Sequence, residues 1–297
     1  MHSRLVRYCD LVPCRDAFID TRTPGSDAKE NFTIIGPGVS ENPKQHVHIA
    51  EPHGFNIGGA RQPAGCTNSQ HSHDTAEVFF VHSGTWEFRL GEHGTDASIV
   101  LEPGELISIP TKVFRGFENV GEGEGFLWAV LGGDDPGRVL WAPKVFEMAE
   151  DYGLVLLENG NLVDIGAGES LPDGAQAMPV TSAAQVEALQ VIDDEGLAAC
   201  CVTGQDALAP TLIGPDGKLD WEHGFTLHRI VLDADESVSE GGRNVPDVVF
   251  LHRGNLCVVM GDETVRMVEG DTLTVPQGIS RSFQAVGEAD FVRVLGT

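Results

Sequence analysis

Three residues of metal-binding type stand at odd-numbered positions in one short stretch, residues 65–84, which reads GCTNSQHSHDTAEVFFVHSG. Side chains on a β-strand alternate between its two faces. His71, His73 and Glu77 would therefore project to one side of a strand, together with the apolar Phe79. Imidazole binds Zn, Cu, Fe and Ni, and a set of two histidines and one carboxylate is typical of non-haem Fe(II) enzymes. The stretch therefore predicts a divalent-metal site inside a β-structure.

The spacing of this stretch resembles the first motif of the cupin superfamily. That motif reads Gly, five residues, His-x-His, three residues, Glu, six residues and Gly. Gly65, His71, His73, Glu77 and Gly84 fill it without a departure. The resemblance implies a jelly-roll barrel in which the two histidines and the glutamate are metal ligands.

The stretch GELISIPTKVFRGFEN resembles the second motif of the same family. Gly104, Pro110 and Asn119 stand at the motif's offsets. Two positions depart from it, because Lys112 replaces a glycine and Arg115 replaces the fourth metal-binding histidine. Two motifs in order make the resemblance specific for the fold. The function stays open, since one fold hosts many chemistries.

The last eighty or so residues repeat the motif region in degraded form. DVVFLHRGNL (247–256) aligns with EVFFVHSGTW (77–86), and GDTLTVPQGISRSF (270–283) aligns with GELISIPTKVFRGF (104–117). The difference in spacing falls in the hairpin between the motifs, where chain length varies most easily. An internal repeat of this kind predicts two barrels, so the whole chain resembles a bicupin.

The second copy has lost most of the metal-ligand types. Asp247 replaces the glutamate, Gly241 and Arg243 replace the histidines, and Arg281 stands at the position of Arg115. We therefore predict a metal-free second barrel that serves packing, dimerisation or pocket shape, with a separate ligand site as the lesser alternative. The retained turn-forming residues are Gly254, Gly270, Pro276 and Gly278.

Short apolar runs separated by Gly, Pro and charged turns are typical of antiparallel sandwiches and barrels. We predict an all-β chain of two cupin-type double-stranded β-helix (jelly-roll) barrels with a short, partly helical connector. The expected units are an N-terminal extension that wraps the first domain (1–45), the metal-binding barrel (46–135), the connector (136–215) and the degenerate barrel (216–297).

Two helices are expected in the connector. The segment PKVFEMAEDYGL has apolar residues at helical spacing, and Gly153 can end the helix. Residues 181–196 predict a second helix with Thr181 or Ser182 as N-cap and Gly196 as terminator.

Arg115 leaves two interpretations of the site open. A guanidinium has no free lone pair and stays protonated, so it cannot be a metal ligand. In the first interpretation three protein ligands hold the metal. Arg115 then binds a substrate carboxylate or enolate that also coordinates the metal. In the second, Arg115 turns outward or pairs with an acidic group. This interpretation is indicated by Arg281, which stands at the equivalent position of the second copy, where no metal site is expected. A third interpretation has histidines that bind nothing.

Other polar and aromatic residues carry weaker expectations. His46 and His48 lack a carboxylate at the cupin spacing, so a strand with one histidine-bearing face is expected, and a place in the metal pocket is the lesser alternative. His82 and His252 occupy equivalent positions of the two repeats. Their side chains are expected on the face of the strand opposite to the metal ligands, which predicts an inter-sheet or interface role. Gln70 or Asn119 could orient an imidazole. Four aromatic residues are expected in the core rather than at a pocket mouth: Phe79, Trp86, Phe88 and Trp128.

The formal net charge of −26 at pH 7 argues against nucleic-acid or anionic-membrane partners, since such binding depends on Lys and Arg. No run of eighteen apolar residues is present, so no membrane-spanning helix is expected. The N-terminus lacks the features of a secretory signal. The six scattered cysteines do not form a disulfide framework, which favours a reducing cytoplasm.

The leading hypothesis is a cytoplasmic bicupin enzyme with one divalent metal (Fe, Mn, Ni, Cu or Zn). The resemblance implies an oxygenase-type reaction on a small, anionic organic acid or phenolic substrate, with isomerase, lyase and decarboxylase chemistry left open. The alternative is a non-catalytic bicupin that binds a small ligand or serves as a structural protein. Analogy with the family also implies a homodimer.

Overall fold

The computed structural model describes residues 4–297. In chain order the strands are β1 (Leu5–Val6), β2 (Glu30–Ile35), β3 (Val47–Ile49), β4 (Phe55–Gln62), β5 (Thr67–His73), β6 (Glu77–Ser83), β7 (Trp86–Leu90), β8 (Ala97–Leu101), β9 (Leu106–Ile109), β10 (Arg115–Asn119), β11 (Gly125–Gly132), β12 (Val139–Trp141), β13 (Leu154–Leu156), β14 (Leu162–Asp164), β15 (Cys201–Val202), β16 (Thr211–Ile213), β17 (Phe225–Leu232), β18 (Ser237–Glu240), β19 (Asp247–Met260), β20 (Glu263–Val268), β21 (Thr272–Val275) and β22 (Arg281–Gly296). The α-helices are α1 (Pro143–Asp151), α2 (Ala183–Glu187) and α3 (Asp194–Ala199), and 3-10 turns cover Tyr8–Asp10 and Asp206–Leu208.

The first barrel consists of two facing sheets. One sheet has the strand order β15-β9-β6-β11-β4-β2-β3, and the other has the order β12-β5-β10-β7-β8. Each strand predicted between Phe55 and Gly133 is present, because its apolar residues alternate with polar ones or form a short buried run between turns. The predicted all-β architecture of two jelly-roll barrels is confirmed.

The second barrel is one continuous sheet rather than two. Strands β19 and β22 are 14 and 16 residues long, and they pair along most of their length. Their register shifts twice, between Leu251 and Arg253 and between Gly254 and Leu256. Bulges of this kind bend a strand sharply, so two long strands pass through both layers of the barrel.

Segments outside the motif regions complete both barrels. The N-terminal β1 pairs with β21 of the second barrel (Leu5 with Leu273), in addition to the predicted contact of the extension with the first domain. Strand β2 of the same extension pairs with β4 of the first barrel. From the predicted connector, β12 pairs with β5 and β15 pairs with β9. The extension thus adds strands to both barrels, and so does the connector, since its β16 pairs with β17 of the second barrel.

Helix α1 agrees with its prediction, since it covers Pro143–Asp151 and Gly153 follows with a φ of 70°. The single helix predicted over 181–196 is wrong. Two short helices replace it: Ser182 caps α2 through a capping box, and Asp193 caps α3. Gly196 donates its N–H to Asp193 inside the first turn of α3, so it does not terminate a helix.

Four hydrophobic clusters organise the molecule, and one of them packs Trp141 against Val145 and Ala149 of helix α1. Of the other three, one fills the first barrel and includes Phe79, Trp86 and Phe88, as expected for core residues. A second fills the second barrel around Phe283 and Phe291. The third lies between the barrels, and there Trp128 stacks on a residue of β19, Phe250, at a centroid distance of 4.8 Å. Burial of the third cluster holds the two barrels together.

His82 and His252 meet in this third cluster, as their opposite parity predicted. Their Nδ1 atoms lie 3.2 Å apart, and Phe80 and Phe250 approach each other beside them. The six cysteines are free thiols. No helix within residues 4–297 has the length and hydropathy needed to cross a membrane.

Candidate metal centre

His71, His73 and Glu77 converge inside the first barrel. One potential ligand atom of each residue lies within 4.8 Å of those of the other two. Strand β5 supplies both histidines, and β6 supplies the glutamate at its first residue. The three side chains are almost fully buried, with exposures of 4–5%. The structure therefore brings together the three residues that the sequence predicted as ligands.

The orientation of His71 is fixed by the backbone and by the N-terminal extension. Its Nδ1 lies 2.7 Å from the carbonyl oxygen of Ser69, so the Nδ1–H donates there and Nε2 keeps its lone pair. The N–H of Ser69 donates to Asp20, which forms a fully buried ion pair with Lys29. Burial alone would raise the pKa of Asp20, but the Lys29 charge holds it below its ordinary value.

His73 lies beside Glu77, with its Nε2 3.5 Å from Oε2 of the carboxylate. Its Nδ1 is shielded from solvent and has no hydrogen-bond partner among the described residues. Burial, together with the nearby Arg115 charge, lowers the pKa of His71 to about 3 and that of His73 well below its ordinary value. Both imidazoles are therefore neutral near pH 7, which is the form that binds a metal.

Arg115 is completely buried and pairs with Glu77. Its Nη2 donates to Oε2 of the carboxylate at 3.0 Å, and Nη1 donates to the carbonyl of Val113 at 3.3 Å. Burial raises the pKa of Glu77, and the guanidinium acts against that rise. The arrangement corresponds to the second sequence interpretation, in which Arg115 pairs with an acidic group. The anion-binding role predicted for Arg115 stays a prediction.

Trp141 covers one side of the site. Its ring centroid lies 5.2 Å from that of His71, and its Nε1–H donates to Glu41 at 2.6 Å. Glu41 also accepts the backbone N–H of Ile19. Burial raises the pKa of Glu41 to about 8, against the two hydrogen bonds. A carboxyl group of the extension therefore fixes the aromatic ring against a candidate ligand.

A cavity extends from the three candidate ligands to the N-terminal extension. Its apolar wall residues include Phe18, Val39, Phe79, Phe117, Leu131, Val139 and Trp141. Its neutral polar wall residues are Asn31, Thr33, Ser40, Gln45, Asn56 and Asn68. Strands β4 and β11 also contribute wall residues with little or no side chain, namely Gly58, Gly59, Ala60 and Ala129. The site thus opens into a pocket that is mostly apolar.

The expectation that Gln70 or Asn119 orients an imidazole is wrong. Gln70 donates to the carbonyls of Arg89 and Gly91, and Asn119 bonds within its own turn region and to the Gln62 carbonyl. Neither orients an imidazole; the Ser69 carbonyl does so instead.

The second His-x-His also lies apart from the cavity. His48 bonds to the carbonyl of Thr33 and accepts the N–H of Val12, and its ring packs against His46. The sequence could not show the contributions of Ser69, Asp20 and Glu41, because one acts through its backbone and the others contact the site only in the folded chain.

The equivalent position of the second barrel is filled with ion pairs. Asp247 accepts hydrogen bonds from Arg281 at 2.7 Å and from Nε of Arg293 at 2.7 Å, and Glu240 accepts from Arg293 at 2.8 Å. Strand pairing sets Glu240 opposite Arg281, as His71 lies opposite Arg115. The residue at the first histidine position is therefore Glu240, one residue earlier than the predicted Gly241.

Comparison with known proteins agrees with these observations. Residues 60–131 match the sequence model of the cupin domain. No curated protein sequence matches the chain.

Three solved structures illustrate the two-barrel fold. Oxalate decarboxylase from Bacillus subtilis has a TM-score of 0.55 at 10% identity, and the match covers 100% of this chain and 76% of that one. Brassica napus procruciferin, an 11S globulin, has 0.54 at 14%, with 82% and 76% covered. Salicylate 1,2-dioxygenase from Pseudoaminobacter salicylatoxidans has 0.52 at 15%, with 86% and 72% covered. The first barrel contains a cupin domain, and the chain has the bicupin fold.

Proposed function

We propose that this bicupin binds one divalent metal through His71, His73 and Glu77 and acts as an oxygenase-type enzyme on a small organic acid or phenolic molecule. The observation that carries the proposal is the convergence of the three candidate ligand atoms within 4.8 Å at a mostly apolar cavity. Enzyme sites commonly combine an apolar pocket with a few convergent polar groups.

The donor set fits a metal ion. Both imidazoles are neutral because burial lowers their pKa values, and His71 has its second nitrogen anchored on Ser69. Two imidazoles and a carboxylate suit Fe(II), and the same set accepts Zn, Cu or Ni; manganese is included by the resemblance to cupins. When bound, such an ion would supply Lewis-acid or oxygen-activating chemistry.

Charge balance supports an anionic group on the bound molecule. Glu77 and Arg115 form a buried ion pair, so their charges cancel, and the two neutral imidazoles add none. A dication there would lack compensation from the protein, and an uncompensated buried charge is costly. A carboxylate or phenolate on the substrate would supply the missing negative charge.

Arg115 has a different part in this proposal from the one that its sequence position indicated. It donates to Glu77 and does not belong to the cavity wall as the structure describes it. We therefore assign it to holding the carboxylate in place. In that role Arg115 also moderates the negative charge that Glu77 offers to a metal.

The alternative function is a non-catalytic bicupin that binds a small ligand or serves as a structural protein. It is favoured by one observation: the carboxylate–arginine pair recurs in the second barrel as Asp247 and Arg281. A pair that serves the fold in both barrels needs no metal. The 11S globulin named above shares the fold.

Metal content decides between these functions. We expect about one equivalent of metal in the purified wild-type protein by plasma mass spectrometry, and less than about a tenth in His71→Ala or His73→Ala, because a lost imidazole removes one of three ligands. Arg243→Ala, at an exposed position of the second barrel, is the control and should keep the metal.

Oxygen uptake then tests the reaction class. An oxygen electrode would follow the Fe(II)-loaded protein with a panel of hydroxylated aromatic acids, with His71→Ala as blank. A protein that takes up no metal under any loading condition would favour the non-catalytic alternative. A protein that binds metal but consumes no oxygen would contradict the oxygenase assignment alone.

A further inference from the structure

Strand β5 has one residue more than the stretch of β10 that it pairs with. His71 lies opposite Arg115, and Asn68 lies opposite Phe117. Two residues of β5 therefore face the single Gly116, which makes a β-bulge. Because side chains alternate along a regular strand, Asn68 and His71 would face opposite sides of the sheet without the bulge. Both line the cavity, so the bulge turns His71 towards the candidate site.

The second barrel pairs the corresponding strands without a bulge. Strand β18 (Ser237–Glu240) runs against β22 in an unbroken register, with Glu240 opposite Arg281. Within residues 4–297 the structure places no cluster of potential metal ligands in that barrel. The bulge therefore accompanies the candidate metal site and is not a requirement of the shared fold.

Gly116 leaves space for the bulge. A Cβ atom at this position would lie 1.8 Å from Oε1 of Gln70 and 2.7 Å from the carbonyl oxygen of Asn68. The second barrel has Ser282 at the equivalent position, where the strands pair regularly. A side chain is thus accepted only in the barrel that lacks the bulge.

Residues 20–29 of the N-terminal extension hold β5 on its other side. Strand β12 pairs only with residues 71–73, so the edge before them is open to this segment. The N–H of Thr67 donates to the carbonyl of Gly25, and Oγ of Ser26 donates to the carbonyl of Thr67. The segment thus takes the place of a neighbouring strand up to the bulge.

Asp20 binds the bulge itself. The first bulge residue is Ser69, whose N–H donates to Asp20 at 3.0 Å and whose carbonyl accepts Nδ1–H of His71 at 2.7 Å. Asp20 is paired with Lys29, and both side chains are fully buried. A buried ion pair is weak evidence for stability, but this one keeps a charged acceptor against the Ser69 N–H, and charge-assisted hydrogen bonds are the stronger kind.

We propose that Asp20 is a positioning residue of the metal centre and that it acts through Ser69 to fix the bulge that turns His71 towards the other candidate ligands. The inference rests on the metal binding proposed above and assigns part of the metal affinity to the N-terminal extension. Asp20 lies outside residues 60–131, which match the cupin domain. The site is therefore incomplete without a segment that the family motifs do not include.

Two double variants separate the hydrogen bond from the ion pair. Asp20→Leu/Lys29→Met removes both charges and the acceptor, whereas Asp20→Asn/Lys29→Met removes both charges and keeps an acceptor oxygen. Competition with a chelator would measure zinc affinity. We expect the leucine variant to bind zinc about 10- to 100-fold more weakly than the wild type, the usual loss when the partner of a metal ligand is removed. The asparagine variant should stay within about fivefold of the wild type, because a neutral acceptor makes a weaker bond of the same geometry.

Nitrogen-15 NMR of the imidazoles in metal-free protein gives a second readout. In the wild type His71 should carry its proton on Nδ1, because the Ser69 carbonyl accepts it. The leucine variant should show a mixture of the two tautomers. A role of Asp20 in stability alone would leave the tautomer of the folded molecules unchanged.

Arg7→Met/Asp271→Leu is the matched control. Asp271 is also a buried carboxylate that pairs with Arg7 and accepts backbone N–H groups, those of Tyr8 and Val268, but it belongs to the second barrel. Its removal should lower stability and leave zinc affinity as in the wild type.

Gly116→Ser tests the bulge from the opposite strand and serves as the test if the leucine variant does not fold. Its side chain needs the space that Gln70 occupies, so the bulge has to change and zinc affinity should fall by about tenfold. Ser282→Gly makes the reverse change in the second barrel and should leave zinc affinity as it is. Wild-type affinity in Gly116→Ser would refute the role of the bulge.

The outcomes separate this inference from the proposed function. Equal zinc affinities in the leucine and asparagine variants, an unchanged His71 tautomer, or an equal loss in the control would overturn the inference and leave the metal site standing. If the wild type takes up no zinc, the proposed function fails and the inference fails with it.

Discussion

The two barrels hold a carboxylate–arginine pair at the same place and differ in what surrounds it. In the first, Glu77 pairs with Arg115 beside two neutral histidines. In the second, Asp247 receives both Arg281 and Arg293. Strand pairing shows that Arg293 stands where the first barrel has Ala129, since each lies opposite the residue two positions after its carboxylate.

The comparison identifies a position at which an open interior and a filled one differ by a single side chain. Ala129 contributes only a methyl group and lines the cavity. Arg293 is buried and bonds to Asp247 and Glu240, so its side chain occupies the corresponding interior. The carboxylate–arginine pair belongs to the shared fold, whereas the histidines and the small residues distinguish the candidate site.

The largest expected difference between the barrels concerns these arginines. Arg115→Leu should lower the unfolding free energy of metal-free protein by about 3–5 kcal/mol, because Glu77 would be buried without its cation. Arg281→Leu should cost about 1–2 kcal/mol, since Asp247 keeps Arg293. Urea denaturation of each variant measures the loss.

Zinc sharpens the test. Arg281→Leu keeps the first-barrel site, so added zinc should stabilise it about as much as it stabilises the wild type. In Arg115→Leu the metal would also compensate the unpaired Glu77 carboxylate, so the gain in stability should be larger. Equal losses in the two variants would contradict the asymmetry. An equal gain from zinc in both variants would contradict a metal bound at Glu77.

The contact between the barrels should make stability depend on pH. Burial lowers the pKa of His82 to about 4 and that of His252 to about 3, against about 6.5 in an unfolded chain. Below pH 6.5 the unfolded state therefore binds protons that the folded state does not bind. Stability should fall by roughly 2 kcal/mol for each histidine between pH 6.5 and 5.

His252→Gln isolates this contribution, because His71 and His73 titrate in the same direction in metal-free protein. Its unfolding free energy should fall less between pH 6.5 and 5 than that of the wild type. His46→Gln, at an exposed position, should show the wild-type dependence. Parallel pH curves for all three proteins would refute a folded-state pKa as low as about 3 for His252.

The smallest expected effect concerns a turn that both barrels share. Lys112 has a φ of 59°, and its equivalent Gly278 has a φ of 75°. A side chain in this left-handed region costs about 1 kcal/mol, so Gly278→Lys should destabilise by about that amount. Lys112→Gly should stabilise by less, since glycine also gains freedom in the unfolded chain. Thermal midpoints of the two variants should shift in opposite directions.

The fold could be predicted from the sequence because its signals are local and repeated. The spacing from Gly65 to Gly84 and the short apolar runs after it gave the strands of the first barrel. The alignment of Asp247 with Glu77 gave the second barrel. The alternation of side chains along a strand predicted that His71 faces the inside of the barrel and that His82 faces away from it. His82 does so, and it contacts His252 there.

What the sequence could not provide depends on contacts between distant segments. No local pattern shows that Asp20 would hold Ser69, or that Trp141 would lie against His71. The helix predicted over 181–196 is interrupted, since α2 ends at Glu187 and the N-cap Asp193 starts a separate helix. The role of Arg115 was ambiguous because an arginine can face either a ligand or a carboxylate, and only the folded geometry pairs it with Glu77.

The meeting of His82 with His252 has a consequence for how the chain is assembled. The two residues are 170 positions apart and equivalent in the repeat, as are Phe80 and Phe250, which also contact each other. Contacts between a residue and its own counterpart are the mark of an isologous, two-fold interface. The second barrel therefore occupies the place that an identical subunit would take in a dimer. Because both halves are linked in one polypeptide, each could diverge separately, and one half could lose its histidines while still covering the surface of the other.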